Sequence, residues 1–257
     1  MTFKHITSRD NSLFKQLKKL ADSSRERRMQ KQTLLDGPHL VNAYIETFDM
    51  PELLIIAEGQ STNEVTGLIQ DLSDVRTVMF TTLMFAELAP VASPTGILAL
   101  VKTPQLPVTK VLNFALLLED IQDPGNLGSM LRTAAAAGVE TVYLSEGCAD
   151  AWSPKALRGG QGAHFSLPIV ERANLAEIIA GFDGKTLATT LQGESLYGLD
   201  LTGPVAFVIG NEGAGLSGKL IKAASQQVRV PMPGDVESLN AAAATAICLF
   251  ERVRQTT

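Results

Sequence analysis

Three glycine-bearing loops hold the residues best suited to chemistry. The first, Asp120–Arg132, reads DIQDPGNLGSMLR and joins an apolar run to a small-residue run. Pro124 and Gly125 predict a turn, and Asn126, Gly128 and Ser129 fall where a helix begins. Free backbone N–H groups at such a point can hold an anion, and Arg132, a turn or so later, could face the same ligand. An ordinary capped strand–helix junction accounts for this loop equally well. The second loop, Ile209–Ser217 (IGNEGAGLS), has three glycines in six residues and one acid, Glu212. Its glycines permit positive φ and close approach of backbone to a ligand, at a strand end where open α/β sheets bind ligands. The third, Val230–Asn240 (VPMPGDVESLN), is stiffened by Pro231 and Pro233 and turned by Gly234 and Asp235. Ser238 and Asn240 then open the closing helix, predicted over 238–254. Capping explains Ser238; it does not explain Asn240 inside the helix.

Other chemistries lack their residues. The chain has no GxxxxGK[ST], no HExxH and no GxSxG, and residues 119–130 do not supply the GxGxxG of a dinucleotide-binding enzyme. Two cysteines, Cys148 and Cys248, make neither a disulfide framework nor a zinc cluster, so no metal is expected. The histidines His5, His39 and His164 are scattered, and His164, in a strand-like setting, reads as structural.

These loops need a scaffold. A chain of 257 residues, 45% hydrophobic and 19% charged, suits one or two globular domains. No apolar run reaches membrane-helix length, and no apolar leader follows Lys4, His5 and Arg9, so a cytoplasmic protein is expected. Helices are predicted within 9–31 and from Asp36-Gly37-Pro38, with Asp36 as cap and Pro38 in the first turn. Apolar runs at 52–57, 75–80 and 96–101, with helical stretches at 62–72 and 82–89 between them, suggest a small α/β domain over 1–101. Residues 102–111, rich in proline and polar groups, read as a linker. A longer strand–helix alternation fills 112–257, with strands at 114–118, 141–144, 165–169, 185–191, 205–209 and 227–230. Continuous apolar strands between helices indicate a parallel sheet covered on both faces. Charge is uneven: residues 1–31 hold nine Lys or Arg against three acids, a net of +6, leaving −11 for the rest. Arg25, Arg27 and Arg28 could meet a phosphate backbone; a solvated helix face is the plainer reading.

The three loops together resemble the SpoU, or TrmH-like, RNA 2′-O-ribose methyltransferases of the SPOUT class. NLGSMLRTAAAAG (126–138) resembles the family's Asn-x-Gly-x-x-x-Arg-Thr-Ala, FVIGNEGAGLS (207–217) its Gly-x-Glu-x-x-Gly, and VRVPMPGDVESLNAAAATAI (228–247) its Pro-Met-x-Gly and Ser-Leu-Asn, in the family's order. The first hundred residues resemble the ribosomal-protein-like substrate-binding domain fused to many members, with Asp36-Gly37 where Glu-Gly is usual. Ala241-Ala242 replaces the usual Val-Ser after Asn240, which removes a hydroxyl.

The resemblance implies a deep trefoil knot holding bent S-adenosylmethionine, with Thr189, Leu191, Ile209, Gly210, Val230, Met232 and Leu239 as its pocket. It implies a homodimer whose sites draw on both subunits, and a catalytic set of Asn126, Arg132, Glu212, Ser238 and Asn240. Arginine is a poor base, so Arg132 is expected to position or electrostatically activate the ribose hydroxyl. That hydroxyl makes RNA the substrate rather than DNA, and the extra N-terminal domain favours ribosomal over transfer RNA. A non-catalytic RNA-binding or ribosome-assembly factor of the same fold is the rival.

Overall fold

The computed structural model describes residues 3–60, 62–89 and 94–257. The chain forms two compact units: residues up to Pro104 together with Trp152–Phe165, and Gln105–Ala151 together with Ser166–Thr257. The main chain passes from the first unit to the second between Pro104 and Gln105. The segment Trp152–Phe165, expected in the second domain, instead packs in the first.

In the first unit, β1 (Lys4–Ile6), α1 (Ser12–Asp22), α2 (Ser24–Gln30), β2 (Gln32–Asp36), α3 (Pro38–Ile45), β3 (Leu53–Ala57), α4 (Asn63–Asp71), β4 (Thr77–Phe80), α5 (Thr82–Leu88) and β5 (Ile97–Lys102) follow in order. The sheet order is β1-β4-β3-β5-β2, with β5 antiparallel to both neighbours. The apolar runs found β3, β4 and β5, whose alternate residues such as Ile55, Val78 and Leu98 join the core under α1 and α5. They missed β1, three residues with one buried side chain, and β2, hidden behind the basic helices.

Two expectations are corrected here. Arg27 is only 5% exposed. Its guanidinium donates to the carbonyls of Leu20 and Ala21 at the end of α1, the latter at 2.9 Å. It thus satisfies orphan helix-end acceptors and is not part of an exposed basic face; Arg25 and Arg28 are exposed. Asp36 does not cap α3: Gly37 occupies the N-cap position with no side-chain bond. The Asp36 carboxylate accepts from the Thr95 hydroxyl at 2.8 Å and lies 3.5 Å from Arg158. Burial pushes its pKa up, against the pull of Thr95 and Arg158.

Arg158 belongs to α7 (Pro154–Gly160), which the sequence did not announce. The Thr33 hydroxyl on β2 donates to the Trp152 carbonyl at 2.8 Å, and Phe165 packs edge-on against Tyr44 of α3. Phe165 is therefore an aromatic anchor of the first unit and sits in a 3₁₀ turn, Ala163–Phe165. The strand expected at 165–169 shrinks to Ile169–Val170 (β8), after Pro168.

The second unit is built from β6 (Phe114–Leu118), α6 (Pro124–Ala136), β7 (Thr141–Leu144), β8, α8 (Leu175–Gly181), β9 (Lys185–Ser195), β10 (Val205–Ile209), α9 (Gly218–Ala223), β11 (Gln226–Arg229) and α10 (Ala241–Thr256). Its sheet, β11-β9-β10-β6-β7-β8, is parallel throughout. Every residue of β6, β7 and β10 is buried, as a sheet covered on both faces demands. Ala115, Leu117, Ala206 and Val208 meet Leu175 and Ile179 of α8 and Leu220 of α9, while α10 packs beside α6.

Arg27→Ala should destabilise the protein by about 1–3 kcal/mol, the cost of stranding buried carbonyls. Arg25→Ala and Arg28→Ala should cost no more than ~0.5 kcal/mol. Urea-denaturation midpoints of the three variants check the contrast.

Candidate active site

The site begins with a break in strand pairing. On β11, Gln226 and Gln227 pair with Leu187 and Ala188 of β9, but the next residue, Val228, pairs with Glu194. The residues Thr189–Gly193 thus have no ladder pairing with β11 and bulge from the sheet. Gly193 closes the bulge at φ 149°, where a Cβ would lie 2.7 Å from the Gln227 carbonyl oxygen. Only glycine fits there.

Beside the bulge, the chain leaves β10 through Gly210. A Cβ at Gly210 would lie 2.4 Å from backbone atoms of Gly215 and Leu216, because the loop folds back on itself. Asn211 and Gly215 exchange backbone hydrogen bonds of 3.1 and 3.0 Å. The loop then enters α9, whose start is held by the Glu119 carboxylate accepting from the Ser217 N–H at 2.7 Å.

The segment after β11 supplies a third wall. Bulge, glycine loop and this segment enclose a cavity of about 460 Å³. All seven residues expected to form a cofactor pocket line it: Thr189, Leu191, Ile209, Gly210, Val230, Met232 and Leu239. So do Glu212 and Ser238 of the expected catalytic set. Sequence reasoning missed Gln192, Asn211 and Glu237 among the lining residues. Asn211 had a visible signal, an Asx-turn former between two glycines; Gln192 and Glu237 had none.

A chain of side-chain hydrogen bonds links the three loops. The Asn126 amide donates to Glu212 Oε1 at 3.0 Å, and the Asn240 amide donates to Asn126 Oδ1 at 3.3 Å. Asn126 is held in the first turn of α6, where its N–H donates to the N-cap Asp123 at 2.8 Å. Asn240 is the N-cap of α10, its oxygen accepting from Ala242 and Ala243. The closing helix therefore starts at Ala241, not at 238, and Asn240 takes the capping role expected of Ser238. Because its oxygen is committed to the cap, its amide must point outward, toward Asn126.

Arg132 stands apart. It is exposed, does not line the cavity, and lies six residues after Asn126, about 120° around the α6 axis. The structure joins Asn126, Glu212 and Asn240 directly, places Ser238 on the cavity wall, and leaves Arg132 on another face of its helix.

Residues 113–250 match the SpoU rRNA methylase family. The chain belongs to this family. It is 34% identical to an uncharacterized tRNA/rRNA methyltransferase of Synechocystis sp., over 97% of this chain and 93% of that one. It is 32% identical to the 23S rRNA (guanosine(2553)-2′-O)-methyltransferase RlmP of Bacillus subtilis, over 96% of this chain and 98% of the other. Among solved structures, the SpoU methyltransferase AviRb of Streptomyces viridochromogenes, crystallised with S-adenosylmethionine, superposes with a TM-score of 0.83 at 28% identity, covering 95% of this chain and 98% of that one.

The cavity of this SpoU-family chain fits S-adenosylmethionine. Val230, Met232, Leu191 and Leu239 offer apolar walls, and Gly210 lets backbone approach closely. The Thr189 hydroxyl lines the cavity, buried and without a hydrogen-bond partner of good geometry. Burial pushes the Cys248 thiol up to about 12, against the opposing effect of that hydroxyl, so Cys248 is an inert core residue.

Gly210→Ala should weaken S-adenosylmethionine binding about tenfold or more, because either the loop or the cavity must yield to the new Cβ. Calorimetric titration with the cofactor, beside a denaturation curve to show that the sheet survives, checks this.

Proposed function

We propose that this protein is a cytoplasmic, homodimeric 2′-O-methyltransferase of ribosomal RNA, most specifically of 23S RNA. The observation that carries the reading is the Asn240–Asn126–Glu212 chain at the edge of the cofactor cavity. Three loops distant in sequence converge there on a set of groups able to hold one hydroxyl. RlmP, whose name specifies 23S RNA, matches along nearly the whole chain, which supports that target over transfer RNA.

S-adenosylmethionine supplies the electrophilic methyl group. This chain must hold the ribose 2′-oxygen in line with it and take away the hydroxyl proton. Positioning of that kind supplies much of the rate in such transfers. Asn126 and Asn240 orient the ribose, Ser238 adds a hydroxyl on the cavity wall, and the Glu212 carboxylate accepts the proton. Arg132, exposed and away from its own chain's cavity, serves the pocket of the partner subunit, where its guanidinium forks onto phosphate and the 2′-oxygen. The same reading includes the deep trefoil knot. The connection from β10 to β11 must pass β9, and the chain after β11 returns to line the cavity beside the earlier loops.

The first unit is read as the RNA-holding part. Within residues 3–31, Arg9, Lys15 and Lys18 are paired with Glu87, Asp10 and Asp22, whereas Lys4, Lys19, Arg25, Arg28 and Lys31 are exposed and have no ion pair among the described residues. Those five cations are open to a phosphate backbone.

Incubation with tritiated S-adenosylmethionine and unmodified 23S or transfer RNA tests the reading. Label should enter 23S RNA at one alkali-resistant linkage, and Arg132→Ala should lower kcat by about 100-fold or more. Dimers mixed from Arg132→Ala and Gly210→Ala subunits should regain activity if Arg132 serves the partner's pocket. Cofactor binding without transfer to any RNA would instead favour the assembly-factor role.

A further inference from the structure

Glu212 is an exposed loop residue between two glycines, yet the reaction needs its carboxylate fixed. Something must hold the loop without contributing chemistry itself. The neighbouring side chain, Asn211, has both of its polar atoms committed. Its Oδ1 accepts from the Gly213 and Ala214 N–H groups, both at 2.9 Å. Its Nδ2 donates to the Asp120 carbonyl at 2.7 Å, on the loop that leads from β6 to Asn126. Three bonds of two kinds assign the amide orientation uniquely.

The acceptor is itself pinned. Asp120 has φ 54°, uncommon for a residue with a Cβ. Its N–H donates to Ser145 Oγ at 2.9 Å, and that hydroxyl donates to Asp120 Oδ1 at 2.6 Å. Gly147 leaves the room this needs, since a Cβ there would lie 2.3 Å from the same carboxylate oxygen. Ser145 therefore aims the Asp120 carbonyl at Asn211, and Asn211 ties the Asn126-bearing loop to the Glu212-bearing loop.

We propose that Asn211, seated on Asp120 and Ser145, is a positioning residue that sets the Asn126–Glu212 hydrogen bond and hence the rate of methyl transfer. The proposal rests on the functional reading above for its kinetic consequence, but not for its structural one. Asn211→Asp keeps the acceptor for Gly213 and Ala214 and sets an oxygen against the Asp120 carbonyl. Asn211→Ser is neutral and too short to reach Asp120, which separates loss of the tie from added charge. Asn211→Ala removes both kinds of bond.

The test combines kinetics with the Asn126 side-chain amide resonances, assigned by their disappearance in Asn126→Asp. Both Asn211→Asp and Asn211→Ser should lower kcat about tenfold or more, by a clearly larger factor than they weaken cofactor binding, a split that a general loss of structure does not produce. The Asn126 amide resonances should move in both. Hydrogen exchange at Gly213 and Ala214 should stay slow in Asn211→Asp and become fast in Asn211→Ala. Unchanged kcat, unmoved Asn126 resonances, or equal losses of kcat and cofactor affinity would each overturn the proposal. If the unaltered protein methylates no RNA, the functional reading fails by itself, and the Asn126 resonances still decide whether Asn211 sets that bond.

Discussion

The second unit depends on one mismatch in strand pairing. A parallel sheet normally pairs residue by residue, and each unpaired stretch leaves backbone donors and acceptors unsatisfied. Here β9 gives up pairing with β11 over Thr189–Gly193 and resumes it at Glu194. The cavity opens along this stretch, lined by Thr189, Thr190, Leu191 and Gln192, while Gly193 stays against β11, its carbonyl accepting from the Arg229 guanidinium at 3.1 Å. The rest of the sheet tolerates this because β6, β7 and β10 are buried along their whole lengths. Rigidity in the centre permits irregularity toward the edge.

The polar chain follows from what surrounds the mismatch. Asn126 enters at the start of one helix, Asn240 at the start of another, and Glu212 in the loop between β10 and α9. Both asparagines are fixed by helix-end geometry before any substrate arrives: one through the Asp123 cap, the other by being the cap. Helix N-termini therefore do two jobs, satisfying their own N–H groups and aiming an amide at the third loop. Arg132, exposed on another face of α6, lies outside this preorganised set.

Much of this was legible in the residues. The strand Val205–Ile209 appears where its apolar run lies, and all seven expected pocket residues line one cavity. The bulge was not legible, because Thr189–Gly193 differs from a strand only in which partner it lacks. The start of α10 is ambiguous in the sequence because Ser238 and Asn240 are both good caps, and only the bonds from Ala242 and Ala243 to Asn240 decide between them. Arg27 was misread because composition shows a charge run, not which member turns back to cap the preceding helix. Trp152–Phe165 was assigned to the wrong unit because its anchors, Thr33, Tyr44 and Asp36, lie more than a hundred residues earlier. For the bulge and for Trp152–Phe165 a contact distant in sequence overrode a local pattern, whereas Arg27 and the α10 cap were decided by bonds to near neighbours in the chain.

The central claim is that the cofactor sits in the space opened by the β9 bulge. Hydrogen–deuterium exchange with and without S-adenosylmethionine tests it most directly. The account predicts added protection in the segments 189–193, 209–216 and 230–239, with none in the helices of residues 12–30. Protection centred elsewhere, or binding that leaves the 189–193 segment unchanged, would contradict it.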